Sequence, residues 1–129
     1  MIMLLSLQEI LSASFKYKDV LVPEWGGEVR VRVMSGLARE RFERIQSDAA
    51  KNGQKIDNLR ERIMIATVCD ELGNPLLSEE HIAILSTKDW TSLDEVFVAG
   101  LELNGMLSNS VDDAEKNSEA VQNGSSISG

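Results

Sequence analysis

Cys69 and His81 are the side chains best suited to nucleophilic or metal chemistry, and they stand twelve residues apart. Cys69 ends the run Ile63-Met64-Ile65-Ala66-Thr67-Val68-Cys69. Apolar surroundings disfavour a thiolate, so a buried and inert thiol is expected there. His81 follows Glu79-Glu80 at the start of a helical pattern and reads as a surface residue. The stretch from Asp70 to His81 has the length of a calcium loop. Leu72 and His81, however, stand where that loop needs an oxygen ligand and a bidentate glutamate. Gly26-Gly27 follows Trp25 and has no Lys-Ser/Thr after it, so it is no phosphate cradle. A single cysteine excludes an intramolecular disulfide and a multi-cysteine zinc cluster. No catalytic residue, metal site or cofactor is expected, and the protein is not read as an enzyme.

What remains is recognition. Trp25 stands at a predicted hairpin tip, where it could pack locally or, as a type that anchors protein interfaces, contact a partner. Val29 and Val31 offer an apolar face, with Arg30 and Arg32 alternating between them. Arg39, Arg41 and Arg44 add a basic stretch that Glu40 and Glu43 could equally neutralise. These eight residues form the candidate protein-binding set.

The elements that must position them fit one small domain, since 129 residues and 14.2 kDa leave room for no more. Thirteen basic and 21 acidic residues give a net charge of −8. That balance argues against a nucleic-acid partner, because neutralising phosphates takes surplus Lys and Arg. No apolar run approaches the ~20 residues of a membrane span, and Met1 to Leu5 lacks the basic region of a signal peptide. A reducing cytoplasm is the expected compartment. Charge is segregated: residues 16–62 carry 11 basic and 8 acidic side chains (+3), and residues 63–129 carry 2 and 12 (−10). Glu9 alone supplies the remaining −1. Opposite halves of this kind could attract within the fold or between copies stacked head to tail, and both could equally be solvated faces.

The patterning predicts a mainly α domain of about five helices with one N-terminal β-hairpin, over residues 1–107. Ser6 and Glu9 form a capping box for a helix over 7–14, with Leu5 and Ile10 as its staple. The hairpin spans about 19–34. Asp19-Val20-Leu21-Val22 is followed by the loop from Pro23 to Gly27, then the strict alternation of Glu28-Val29-Arg30-Val31-Arg32-Val33. Ser35 starts a helix to about Asn52, with the narrow stripe Ala38, Phe42, Ile45 and Ala49, which makes it peripheral. Asp57 is expected to cap a central buried helix running to Leu72. Ser78 should cap a fourth helix, and Ser92 with Glu95 a last one ending at Asn104-Gly105. Trp90, just ahead of that cap, is expected in the core. From Ser108 the chain turns to Ser, Asn, Gly and acids, and a disordered tail over 108–129 is expected.

Three segments together resemble the tail assembly chaperones of long-tailed bacteriophages. The first is Val20-Leu21-Val22-Pro23-Glu24-Trp25-Gly26-Gly27-Glu28-Val29-Arg30-Val31-Arg32, after an N-terminal helix and before the Arg/Glu-rich helix around Phe42. The second is Val68-Cys69-Asp70-Glu71-Leu72-Gly73-Asn74-Pro75-Leu76-Leu77, leading to Glu80-His81-Ile82 and Leu85. The third is Leu103-Asn104-Gly105 before a polar tail with Lys116-Asn117. Leu77 stands where an aromatic residue is more usual.

The resemblance implies a non-enzymatic protein of the host cytoplasm that binds the tape measure protein and keeps it soluble. It also implies help in recruiting the tail tube protein, self-association, absence from the mature virion, and a longer form made by ribosomal frameshifting. The competing reading is a structural head–tail connector or minor tail protein that stays in the particle. Composition alone makes one stability prediction. Deleting residues 109–129 should leave the thermal midpoint essentially unchanged, and a drop of many degrees in a melting experiment would contradict the tail assignment.

Overall fold

Ser6 opens the first helix as its type requires. Its hydroxyl accepts from the Glu9 amide at 3.2 Å, while Glu9 Oε1 accepts from the Ser6 amide at 2.9 Å. This helix, α1 (Leu7–Leu11), is shorter than the expected 7–14, and none of its residues is buried. The computed structural model describes residues 2–107, so the expected tail lies outside the described residues.

The hairpin forms in the register that the valines demand. β1 (Tyr17–Val22) pairs antiparallel with β2 (Gly27–Arg32), Tyr17 facing Arg32 and Val20 facing Val29. β1 starts two residues before Asp19, because Tyr17 and Lys18 find partners on β2. The loop tightens into a single 3-10 turn, Pro23–Trp25. Val20, Val22, Val29 and Val31 share the inner face, and Val22 and Val31 are fully buried.

Ser35 caps α2 (Gly36–Lys51) by accepting from the Ala38 amide at 3.1 Å. Phe42 is its one buried residue, as the thin apolar stripe anticipates. α3 (Leu59–Thr67) departs from expectation at both ends. Asn58, in the left-handed conformation, takes the N-cap position without a side-chain bond, and the Asp57 carbonyl instead accepts from Arg62 Nε at 3.0 Å. At the other end the helix stops at Thr67, whose hydroxyl turns back to the Ile63 carbonyl at 2.7 Å. Val68 and Cys69 leave the helix to form β3 (Val68–Cys69), with Val68 opposite Val31 and Cys69 opposite Arg30. A continuous apolar run suits a buried helix and a buried strand equally, so periodicity does not locate that switch. The sheet therefore has three strands in the order β1-β2-β3 rather than two.

Asp70 then folds the chain back: its Oδ1 accepts from the amides of Leu72 (2.8 Å) and Asn74 (2.9 Å), and Pro75 bridges to Cys69. The fourth helix is a 3-10 turn, Glu79–His81, running into the single turn α4 (Ile82–Leu85). His81 Nδ1 accepts from the Ser78 amide at 2.9 Å, the place a glutamate holds in a capping box.

α5 (Trp90–Leu103) begins earlier than expected, with Asp89 as its cap in place of Ser92. Ser92 is fully buried, and its hydroxyl donates to Asp89 Oδ2 at 2.6 Å and Glu24 Oε1 at 3.3 Å. Trp90 consequently sits in the first turn and is 68% exposed, not in the core. Leu93, Val96 and Ala99 of α5 cover the valine face, joined by Met64 and Leu85. A second cluster joins Met34, Phe42, Ile63 and Leu101, and holds α2 to α3 and α5. Gly100 permits the close approach of α3 and α5: a Cβ there would stand 3.0 Å from Thr67 Oγ1 and 3.3 Å from Ile63 Cγ2.

The α5 cap carries a pH signature. The Ser92 and Thr91 hydroxyls and the Ser92 amide hold the Asp89 carboxylate and pull its pKa down to about 2 from 3.8. A depressed folded value stabilises the fold above the unfolded pKa, and that contribution disappears as pH falls through the folded one. Between pH 5 and pH 2 the thermal midpoint of the native protein should therefore fall further than that of Asp89→Asn. Parallel curves for the two proteins would contradict this.

Candidate protein-binding surface

The outer face of the sheet carries two of the candidate arginines, both already engaged within the chain. Arg30 makes a two-pronged ion pair with Asp19 across the hairpin, at 2.7 and 3.0 Å, and stacks over the Tyr17 ring at 3.8 Å. The pair holds the Asp19 carboxyl below its ordinary pKa. Arg32 lies 4.5 Å over the Phe15 ring and donates to the carbonyls of Gly73 and Val33, each at 2.8 Å. Cys69, opposite Arg30 on the neighbouring strand, is 2% exposed, and burial pushes its thiol pKa up. The thiol thus stays protonated and shielded at neutral pH, as the sequence suggested.

The valines divide. Val31 is fully buried against α5 and is removed from any surface open to a partner. Period two places it inward, and the helices of the same chain cover that face. Val29 is half-buried and meets Trp25 in the wall of an open cavity of about 510 Å³ that also touches Met64, Leu77 and Leu85. Trp25 is 36% exposed.

On α2, Arg39 pairs with Glu43 at 3.3 Å and reaches Met106 Sδ at 3.5 Å, while Glu40 forms no ion pair among the described residues. Arg41 and Arg44 also form none there, and both line a groove of about 780 Å³. α2 and α3 make its walls and floor through Leu37, Phe42, Ile45, Ile65 and Ala66. The segment from Gly73 to Glu79 closes the far side with Leu76 and Leu77. Arg32 and Arg62 join Arg41 and Arg44 at this groove, against Glu79 as the one acid among its lining residues. A basic, apolar-floored groove on a chain of net charge −8 is a local inversion of sign.

Patterning singled out Arg32, Arg41 and Arg44 but missed Arg62, Leu37 and the 73–79 wall. The adjacent apolar pair Leu76-Leu77 after the Asn74-Pro75 turn was the available signal. Among the described residues no cluster of His, Cys, Asp or Glu could hold a metal ion, and no helix is long and apolar enough to cross a membrane.

No protein-family model matches the chain, and no curated protein does. A solved structure does: that of the bacteriophage HK97 tail assembly chaperone, with 22% sequence identity and a TM-score of 0.52. The match covers 75% of this chain and 95% of the HK97 protein. This chain has the fold of a phage tail assembly chaperone. At such low identity the likeness concerns the backbone, and side chains have to be read from this chain itself.

One position of this fold ties the groove wall to the sheet. Gly73 has a φ of +87°, and a Cβ there would lie 2.7 Å from Phe15 Cε1 and 2.8 Å from Arg32 Nη1. Gly73→Ala adds left-handed strain to that clash and should remove on the order of 1–3 kcal/mol of stability. Gly36→Ala, which meets nothing within 4 Å, serves as control and should be near neutral in the same urea titration.

Proposed function

We propose that this protein is a tail assembly chaperone of a long-tailed phage. In this reading it binds the tape measure protein, keeps it soluble in the host cytoplasm, helps recruit tail tube subunits, and is left out of the finished virion. The observation that carries the reading is the shared fold, covering 95% of the HK97 chaperone. The groove supports it from this chain's own residues. An amphipathic client helix would set its apolar face on Leu37, Ile45 and Ile65, and its acidic side chains beside Arg41 and Arg44. Trp25 and Val29 extend the candidate surface at the hairpin tip. Charge at a partly exposed site contributes most at low ionic strength, so such a complex loosens as salt screens it.

Co-expression with the tape measure protein of the same phage tests the proposal. The client should be soluble and co-purify with the native chain. Arg41→Glu with Arg44→Glu should weaken that recovery most in low salt. Trp25→Ala should lower client affinity by about 1–3 kcal/mol if the indole edge is an anchor. A client equally soluble without this protein would overturn the reading, as would detection of the protein in purified virions.

A further inference from the structure

The groove and the cavity beside Trp25 share a wall and carry opposite charge. Leu76 and Leu77 line both recesses, and Leu76 is 57% exposed, so the wall is an apolar ridge open to solvent. On the groove side the lining charges are Arg32, Arg41, Arg44 and Arg62 against Glu79, a balance of +3. On the cavity side they are Asp19, Glu28, Asp70 and Glu71 against Arg30, a balance of −3.

The fold uses part of each set. Arg32 is held by backbone carbonyls and Arg62 by Glu79 at 2.9 Å, which leaves Arg41 and Arg44. Asp19 is held by Arg30, and Asp70 accepts from the Leu72 and Asn74 amides, which leaves Glu28 and Glu71. These four side chains are exposed and form no ion pair among the described residues. Beside Glu28 and Glu71 the cavity offers the Trp25 ring and the apolar Val29 and Leu77. A Lys or Arg side chain suits such a lining, with its stem on apolar surface and its cation near carboxylates and an indole.

We infer that the two recesses bind one amphipathic helix that crosses the Leu76–Leu77 ridge. Its acidic residues lie in the groove by Arg41 and Arg44, and its Lys or Arg residues lie in the Trp25 cavity by Glu28 and Glu71. Opposite charges on the two sides of one ridge fix the direction of the helix, because the reversed pose sets like charges together at both ends. A helix that is acidic at both ends is disfavoured at the cavity, so the surface selects for separated charge. The inference rests on the functional reading for the helical form of the client and adds the order of its charges.

Designed peptides without any tape measure sequence test this on the full chain. Each is a Leu/Ala amphipathic helix of about 18 residues, roughly 27 Å long, with a pair of charged residues towards each end. The pairs are Glu–Lys, Glu–Glu or Lys–Lys, at a series of spacings of about two to four helical turns. In fluorescence anisotropy at low salt, the best-spaced Glu–Lys peptide should bind about tenfold tighter than its Glu–Glu and Lys–Lys counterparts. Several partly exposed pairs at a few-fold each give that factor. Glu28→Lys with Glu71→Lys should invert the preference towards Glu–Glu, at unchanged circular dichroism. Glu28→Gln with Glu71→Gln, which adds no charge, should erase it, and Leu76→Asp should weaken all three peptides. Equal binding of the three peptides at every spacing would overturn the inference, as would a preference that survives in both Glu28/Glu71 variants. Selective peptide binding beside a tape measure protein that never co-purifies would reject that client and leave this surface standing.

Discussion

Closure of the valine face is the constraint on which the rest of this fold depends. A two-stranded ribbon is marginal in water, and Val22 and Val31 bury nothing until a second layer lies across them. α5 supplies that layer through Leu93, Val96 and Ala99, and the short β3 widens the sheet enough to bring Met64 and Val68 into the same cluster. Gly100 lets α3 pack close against α5 on the other side. Asn104 then locks the end of the helix to the end of the strand. Its Oδ1 accepts from the Met34 amide at 2.7 Å, and its Nδ2 donates to the carbonyls of Gly100 and Arg32. The hairpin and the last helix, some seventy residues apart in sequence, form one unit.

The arginines serve two purposes that location separates. On the sheet, Arg30 and Arg32 are held by Asp19, two aromatic rings and two carbonyls. Their charges are largely used within the chain. On α2, Arg41 and Arg44 face a recess instead, above side chains that cannot neutralise them. The electrostatic character of the groove therefore comes from residues left over after the fold has satisfied its own pairs.

A basic, apolar-lined groove and an exposed N-terminal helix are surfaces that the core leaves open. Neither surface is required to close the core. Phe42, with Ala38 packed beside it, ties α2 inward, so most of that helix is exposed.

Several features were legible in the sequence because they rest on local physics. The Ser6–Glu9 and Ser35 caps, the hairpin alternation, the narrow stripe of α2 and the inert setting of Cys69 each follow from a few neighbouring side chains. Other features depend on what a segment meets in space. The apolar run from Ile63 to Cys69 satisfies helix and strand alike, and the open edge of β2 decides that Val68 leaves the helix. Ser92 and Glu95 spell a capping box, yet Asp89 wins the cap, while the Ser92 hydroxyl faces inward between Asp89 and Glu24 of the distant hairpin tip. Arg30 and Arg44 look alike in composition; one has Asp19 across a strand and the other has an empty groove. Local propensity and period are properties of the chain itself, so they determined the caps, the hairpin and the helical class. Which strand edge was open, which arginine found a carboxylate and which apolar residues were left uncovered depended on long-range packing, and the tertiary structure alone decided them.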